Sequence, residues 1–73
     1  MPLTLKRKMT GQELRSIRRQ MQFTQKQLAQ KLGVDANTVA RWERNEVAIR
    51  EIVSRMVYSV FESQRAAKKW LDL

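Results

Sequence analysis

Two helix-start signatures stand close together near the front of this 73-residue chain, and they limit what it can fold into more than any other feature. Thr10 is followed three residues later by Glu13, and Thr24 three residues later by Gln27. At this spacing a hydroxyl caps a first-turn N–H while the longer side chain reaches back to the cap. Each start is preceded by an apolar residue placed to staple onto the first turn, Met9 onto Leu14 and Phe23 onto Leu28. The first helix then carries Leu14, Ile17 and Met21 as one stripe. The second must stop at Gly33, because glycine after Leu32 accepts the left-handed backbone of a helix terminus, so it spans about Gln25–Leu32. A third follows at once. Asp35 can cap it, Val34 can staple to Val39, and Val39 with Trp42 makes its inward side until Asn45, which tolerates a left-handed cap.

From Ile49 the apolar residues Ile52, Val53, Met56, Val57, Val60 and Phe61 recur at three- and four-residue spacing, predicting a fourth helix that starts near Ala48 to Arg50 and supplies most of the core. Beyond Glu62 two readings stay open: the helix continues, or Ser63 caps a short fifth one with Ala66, Ala67, Trp70 and Leu71 on its apolar side. With two glycines, one proline and no alternating apolar run, the fold class is all-α, a compact bundle of four to five short helices. Residues 1–8 show no period and are expected to form a flexible basic arm, residues 9–62 the domain, and residues 63–73 a helical tail suited to dimerisation.

Composition removes several function classes. A chain of this length buries only about 60% of the surface its unfolded form exposes, which leaves little room for a deep substrate cavity or a ligand-controlled effector domain. There is no Cys and no His, so disulfides, thiolate metal sites and His-dependent catalysis are excluded, and neither metal nor cofactor is expected. No apolar stretch approaches the roughly 18 residues of a membrane span, and Lys6-Arg7-Lys8 leads into a polar helix rather than the apolar core of a signal peptide. The formal charge is +8, and its distribution is uneven: residues 1–50 carry a net +7 and residues 51–73 a net +1. The basic front attracts polyanions.

Counting Gln25 as position one, apolar residues fall at four (Leu28), eight (Leu32), ten (Val34), fifteen (Val39) and eighteen (Trp42), with Ala29 at five and Gly33 at nine. Two short helices crossing at roughly 90–120° need a small residue where their axes approach, a glycine to reverse the backbone and apolar residues on the shared face. That pattern is a helix-turn-helix. The runs Leu14-Arg15-Ser16-Ile17-Arg18, Phe23 through Val34 and Thr38 through Arg44 resemble the Cro/repressor-type helix-turn-helix family, which includes phage repressors and small bacterial XRE-type regulators. Asn45 stands where that family usually has Gly, and the Pro common before the fourth helix is missing from Glu46–Arg50.

The resemblance implies a lambda-repressor-like DNA-binding domain whose third helix, about residues 36–44, enters the major groove with its N-terminal residues on base edges. Ala36, Asn37, Thr38 and Arg41 are the corresponding positions. Asn37 suits adenine, Arg41 suits guanine or alternatively a phosphate, and Ala36 or the Thr38 methyl suits thymine. Gln25 and Lys26 at the start of helix two, and Arg44 and Asn45 after helix three, are expected on phosphates, with Lys6, Arg7 and Lys8 as arm contacts or a merely solvated tail. Glu43, a carboxylate on the inward side, resembles the family's buried acid that pairs with an arginine of helix one, here Arg18. Tyr58, Phe61, Trp70 and Leu71, with Val57, are candidates for a self-complementary dimer patch.

The expected activity is sequence-specific double-stranded DNA binding by a cytoplasmic, nucleoid-associated transcriptional regulator, a repressor, acting as a homodimer on an operator-like inverted repeat. The alternatives are the DNA-binding antitoxin of a toxin–antitoxin pair, which adds a small toxin partner, and a helix-turn-helix module that binds protein. Membrane binding and enzyme activity have the least support in these residues.

Overall fold

A computed structural model of the chain describes residues 8–71, and the side chains of residues 8–67. Its elements are α1 (Gly11–Gln20), α2 (Gln25–Leu32), α3 (Ala36–Glu43) and α4 (Glu51–Leu71), with no strand among the described residues. The fold is all-α, as the patterning predicts.

Both reciprocal caps form. Thr10 Oγ1 accepts from the Glu13 N–H at 3.1 Å while Glu13 Oε1 accepts from the Thr10 N–H at 2.8 Å. Thr24 and Gln27 repeat the pair at 3.1 and 2.8 Å. The third cap differs from expectation. Asp35 holds the extended backbone of a cap, but its side chain makes no capping hydrogen bond, so α3 is entered by backbone geometry alone.

The three short helices end alike. A left-handed residue follows each: Gln22 (φ 61°), Gly33 (φ 75°) and Asn45 (φ 61°). The next N–H then reaches back five residues, from Phe23 to Arg18 O at 3.2 Å, Val34 to Ala29 O at 3.0 Å and Glu46 to Arg41 O at 2.9 Å. This closure satisfies carbonyls that a helix terminus leaves open. Gly33 and Asn45 suit the conformation, and Gln22 does not. Replacing Gln22 by Gly is expected to stabilise the domain by about 1 kcal/mol, read as a higher urea midpoint at unchanged m-value.

The core joins Met9, Leu14, Ile17, Met21, Leu28, Ala29, Leu32, Val39, Trp42, Ile49 and Val57, with Leu14, Leu28, Val39 and Val57 fully enclosed. Phe23, Val34, Ala36, Val53, Val60 and Phe61 pack against it half-buried. Ala29, the small residue expected where α2 and α3 approach, is buried in this core, and the two helices pack together.

α4 decides one open reading and corrects one expectation. It runs unbroken past Ser63 to Leu71, the continuous alternative, with no fifth helix among the described residues. Its wide apolar face is also not the main core provider. Among its described side chains Val57 alone is fully enclosed, while Ile52 (60% exposed) and Met56 (39%) turn to solvent. The cause is periodic: at 100° per residue the stripe Ile52 to Phe61 is broader than the groove that α1–α3 offer, and only its Val53–Val57–Val60–Phe61 side meets the core.

Candidate nucleic-acid interface

The candidate recognition element is α3, and its two sides differ in chemistry. Val39, Trp42 and Glu43 are buried, whereas Asn37, Arg41 and Arg44 are exposed along one outer line. At 100° per residue these three fall within about 60° of one another, so one edge of the helix presents an amide and two guanidinium groups. Thr38 is half-buried beside that edge. Ala36 is half-buried and packs against the core, which leaves Asn37 and Arg41 as the more outward of the four base-contact candidates.

What fixes α3 against the body is a polar cluster around Glu43, whose side chain is fully enclosed. Arg18 embraces the carboxylate with both prongs, Nε to Oε2 at 2.6 Å and Nη2 to Oε1 at 3.0 Å. Its remaining Nη1 donates to Phe23 O at 2.8 Å, tying the α1–α2 turn into the same cluster. Gln25 Nε2 donates to Glu43 Oε1 at 3.1 Å, and Arg15 Nε approaches the same oxygen at 3.5 Å. Burial by itself raises the Glu43 pKa. The hydrogen bonds from Arg18 and Gln25, the Arg18 charge and the Arg15 contact outweigh it and hold the carboxyl below its ordinary value.

The phosphate candidates thus occupy different settings. Lys26 is exposed at the first turn of α2. Gln25 is half-buried with its amide turned to Glu43, so its side chain is committed inside the protein. A preference for polar residues at a helix start does not foretell that commitment. Asn45 is exposed, yet its Oδ1 accepts from the Gly11 N–H at 3.0 Å, which links the end of α3 to the start of α1. Arg44 is half-exposed and paired with Glu46. Lys8 is exposed in the segment before α1, and Lys6 and Arg7 lie outside the described residues.

Sequence reasoning did not find the roles of Gly11, Arg15 and Glu46. Gly11 sits where the first turn of α1 meets the end of α3, and a Cβ there would lie 2.5 Å from the carbonyl oxygens of Trp42 and Glu43. The signal was available: a glycine inside the first turn of a well-capped helix costs stability unless a close approach requires it. Arg15, three residues before Arg18, was legible as a second cation on the same helical face.

Of the expected dimer patch, Val57 is enclosed in the core, Phe61 is half-buried with the Arg65 guanidinium 5.6 Å over its ring, and Tyr58 is 47% exposed. The side chains of Trp70 and Leu71 lie outside the described residues. No helix among the described residues is long and apolar enough to cross a membrane.

Residues 14–57, more than half of the chain, match a family model whose description is helix-turn-helix. The match runs from the Leu14 stripe of α1 to Val57 of α4 and includes the whole Glu43 cluster. No curated protein and no solved structure gives a significant match.

Proposed function

The chain belongs to the helix-turn-helix family, and from that premise we propose that it is a sequence-specific double-stranded DNA-binding transcriptional regulator, a repressor, without catalytic activity. The observation that carries the reading is the outer edge of α3, where Asn37, Arg41 and Arg44 stand exposed on a helix locked to the body by Glu43. A helix held this rigidly can be laid into the major groove as a unit, with Asn37 and Arg41 on base edges, Thr38 beside them and Ala36 at the thymine-methyl margin. Lys26, Arg44, the Asn45 amide and the first-turn N–H groups of α2 serve the phosphates on either side. The role proposed for Gln25 is narrower than a free phosphate ligand, because its amide is already donated to Glu43. Its backbone N–H is the donor left for DNA, with Lys6, Arg7 and Lys8 as further contacts from the arm.

The proposal includes a two-fold homodimer on an inverted repeat, in the cytoplasm beside the nucleoid. Support for the dimer comes from α4, which leaves Ile52, Met56 and Tyr58 exposed on a domain too small to hold more than roughly 3–5 kcal/mol alone. The same exposed residues would suit a small toxin if the protein is the antitoxin of a pair. Sedimentation tests the homodimer, which a monomer at high micromolar concentration would remove, and a co-purifying small toxin would mark the antitoxin.

The variants that test base reading are Arg41→Ala and Lys26→Ala. Arg41→Ala is expected to cost about 2 kcal/mol at one base position and to relax preference there. Lys26→Ala is expected to weaken every duplex alike and to reduce the salt slope by about one. Competition binding against a set of single-base variants of one duplex checks both. A uniform loss for Arg41→Ala would place that guanidinium on phosphate.

A further inference from the structure

Arg44 is read above as a phosphate contact, yet in the free protein its guanidinium is already engaged. Arg44 Nε donates to Glu46 Oε2 at 2.7 Å and Nη2 approaches Oε1 at 3.3 Å, the two-pronged geometry that a guanidinium also offers a phosphate. Glu46 does not reach this position through a flexible loop. Its N–H closes the turn on Arg41 O at 2.9 Å, and the Asn45 before it is left-handed and tied to the Gly11 N–H. The carboxylate is therefore held at the exit of α3, beside the cations of the proposed interface. Its pKa reflects that placement: the Arg44 hydrogen bond, followed by the charges of Arg44 and Arg41, holds it below the ordinary value against the cost of leaving water.

Resting on the DNA-binding reading, we infer that Glu46 is an internal stand-in for DNA phosphate, holding Arg44 in the free protein until the backbone displaces it. Both side chains are about half exposed (52% and 51%), so the exchange strands no buried charge and its effect is modest and screened by salt. It has a distinct signature. When phosphate takes Arg44 the internal ion pair is lost, an offset that is largest at low salt and fades as salt screens it. Backbone contacts carry no base information, so Glu46 lowers affinity for all duplexes together. It acts as a positioning residue that tempers the phosphate-driven part of binding to every duplex.

The test compares wild type and Glu46→Gln on one short duplex of scrambled sequence by fluorescence anisotropy over a salt series, and repeats the comparison in an Arg44→Ala background. Glu46→Gln is expected to bind about 5-fold tighter at low salt, with the gain shrinking as salt rises, and most of the gain is expected to be lost in the Arg44→Ala background. Equal or weaker binding by Glu46→Gln overturns the inference. A gain that persists undiminished without Arg44 also overturns it, because Glu46 would then act only by repelling phosphate. A wild type that binds no duplex at any salt takes down the functional reading itself, and the inference with it.

Discussion

Glu43→Ala is expected to destabilise the domain by about 3–5 kcal/mol, the loss found when one member of a buried ion pair is removed and the other is left uncompensated. Four donor groups would be stranded together: the two prongs of Arg18, the Gln25 amide and the more distant Arg15 Nε. A domain this size rarely holds more than roughly 3–5 kcal/mol in all, so the variant should be largely unfolded at 25 °C by circular dichroism. Removing both members, as in Arg18→Met with Glu43→Leu, should recover part of the loss, because no charge is then left buried without a partner. An unchanged melting temperature for Glu43→Ala would show that the cluster does not hold α3 in place.

The same cluster sets a direction for acid. The folded-state pKa of Glu43 lies below its ordinary value of 4.5, so the folded protein binds its proton less readily than the unfolded chain does. Its contribution to stability is complete above the unfolded pKa and is lost as pH falls through the folded one. Urea midpoints measured downward from pH 5 should therefore decline more steeply for wild type than for Glu43→Gln.

Gly11→Ala carries the second large effect, and its sign is diagnostic. Intrinsic helix preference favours Ala over Gly by about 1 kcal/mol, which alone predicts stabilisation. The added Cβ would stand 2.5 Å from the Trp42 and Glu43 carbonyl oxygens and 2.8 Å from the Glu43 carbonyl carbon, all of them backbone atoms with no flexible end to yield. Either α1 or the end of α3 must shift, and the Asn45–Gly11 hydrogen bond shifts with it. The expected result is a net loss of about 3 kcal/mol, read as a lower melting temperature. A variant more stable than wild type would mean that the two helix ends do not meet as described.

Much of the fold was legible because it is built from local chemistry. The caps at Thr10 and Thr24, the glycine at Gly33 and the substitute at Asn45 each depend on residues within one or two turns, and such patterns can be read along the chain. The inward and outward sides of α3 followed from its period. The Arg18–Glu43 contact, twenty-five residues apart in sequence, came from resemblance rather than from the pattern of either helix. What was not legible depends on distance in space. Nothing in a helical period tells how much of a broad apolar stripe the neighbouring helices will cover, so Ile52 and Met56 were assigned inward and lie outward. From sequence Gln25 is a helix-start residue free to meet phosphate, because its partner Glu43 is brought to it only by the α2–α3 crossing. Gln22 offers no signal for its left-handed backbone. The need to turn from α1 into the Thr24 cap imposes that conformation on whichever residue stands there.

The central claim is that a rigid α3 reads base sequence in duplex DNA, and selection of bound duplexes from a random pool tests it most directly. Convergence on an inverted repeat, with half-sites about one helical turn apart and at least roughly 10³-fold preference over scrambled DNA at fixed salt, is the result predicted. A pool that never converges, with affinity that only follows the salt concentration, would contradict it and leave the basic face as a general polyanion surface.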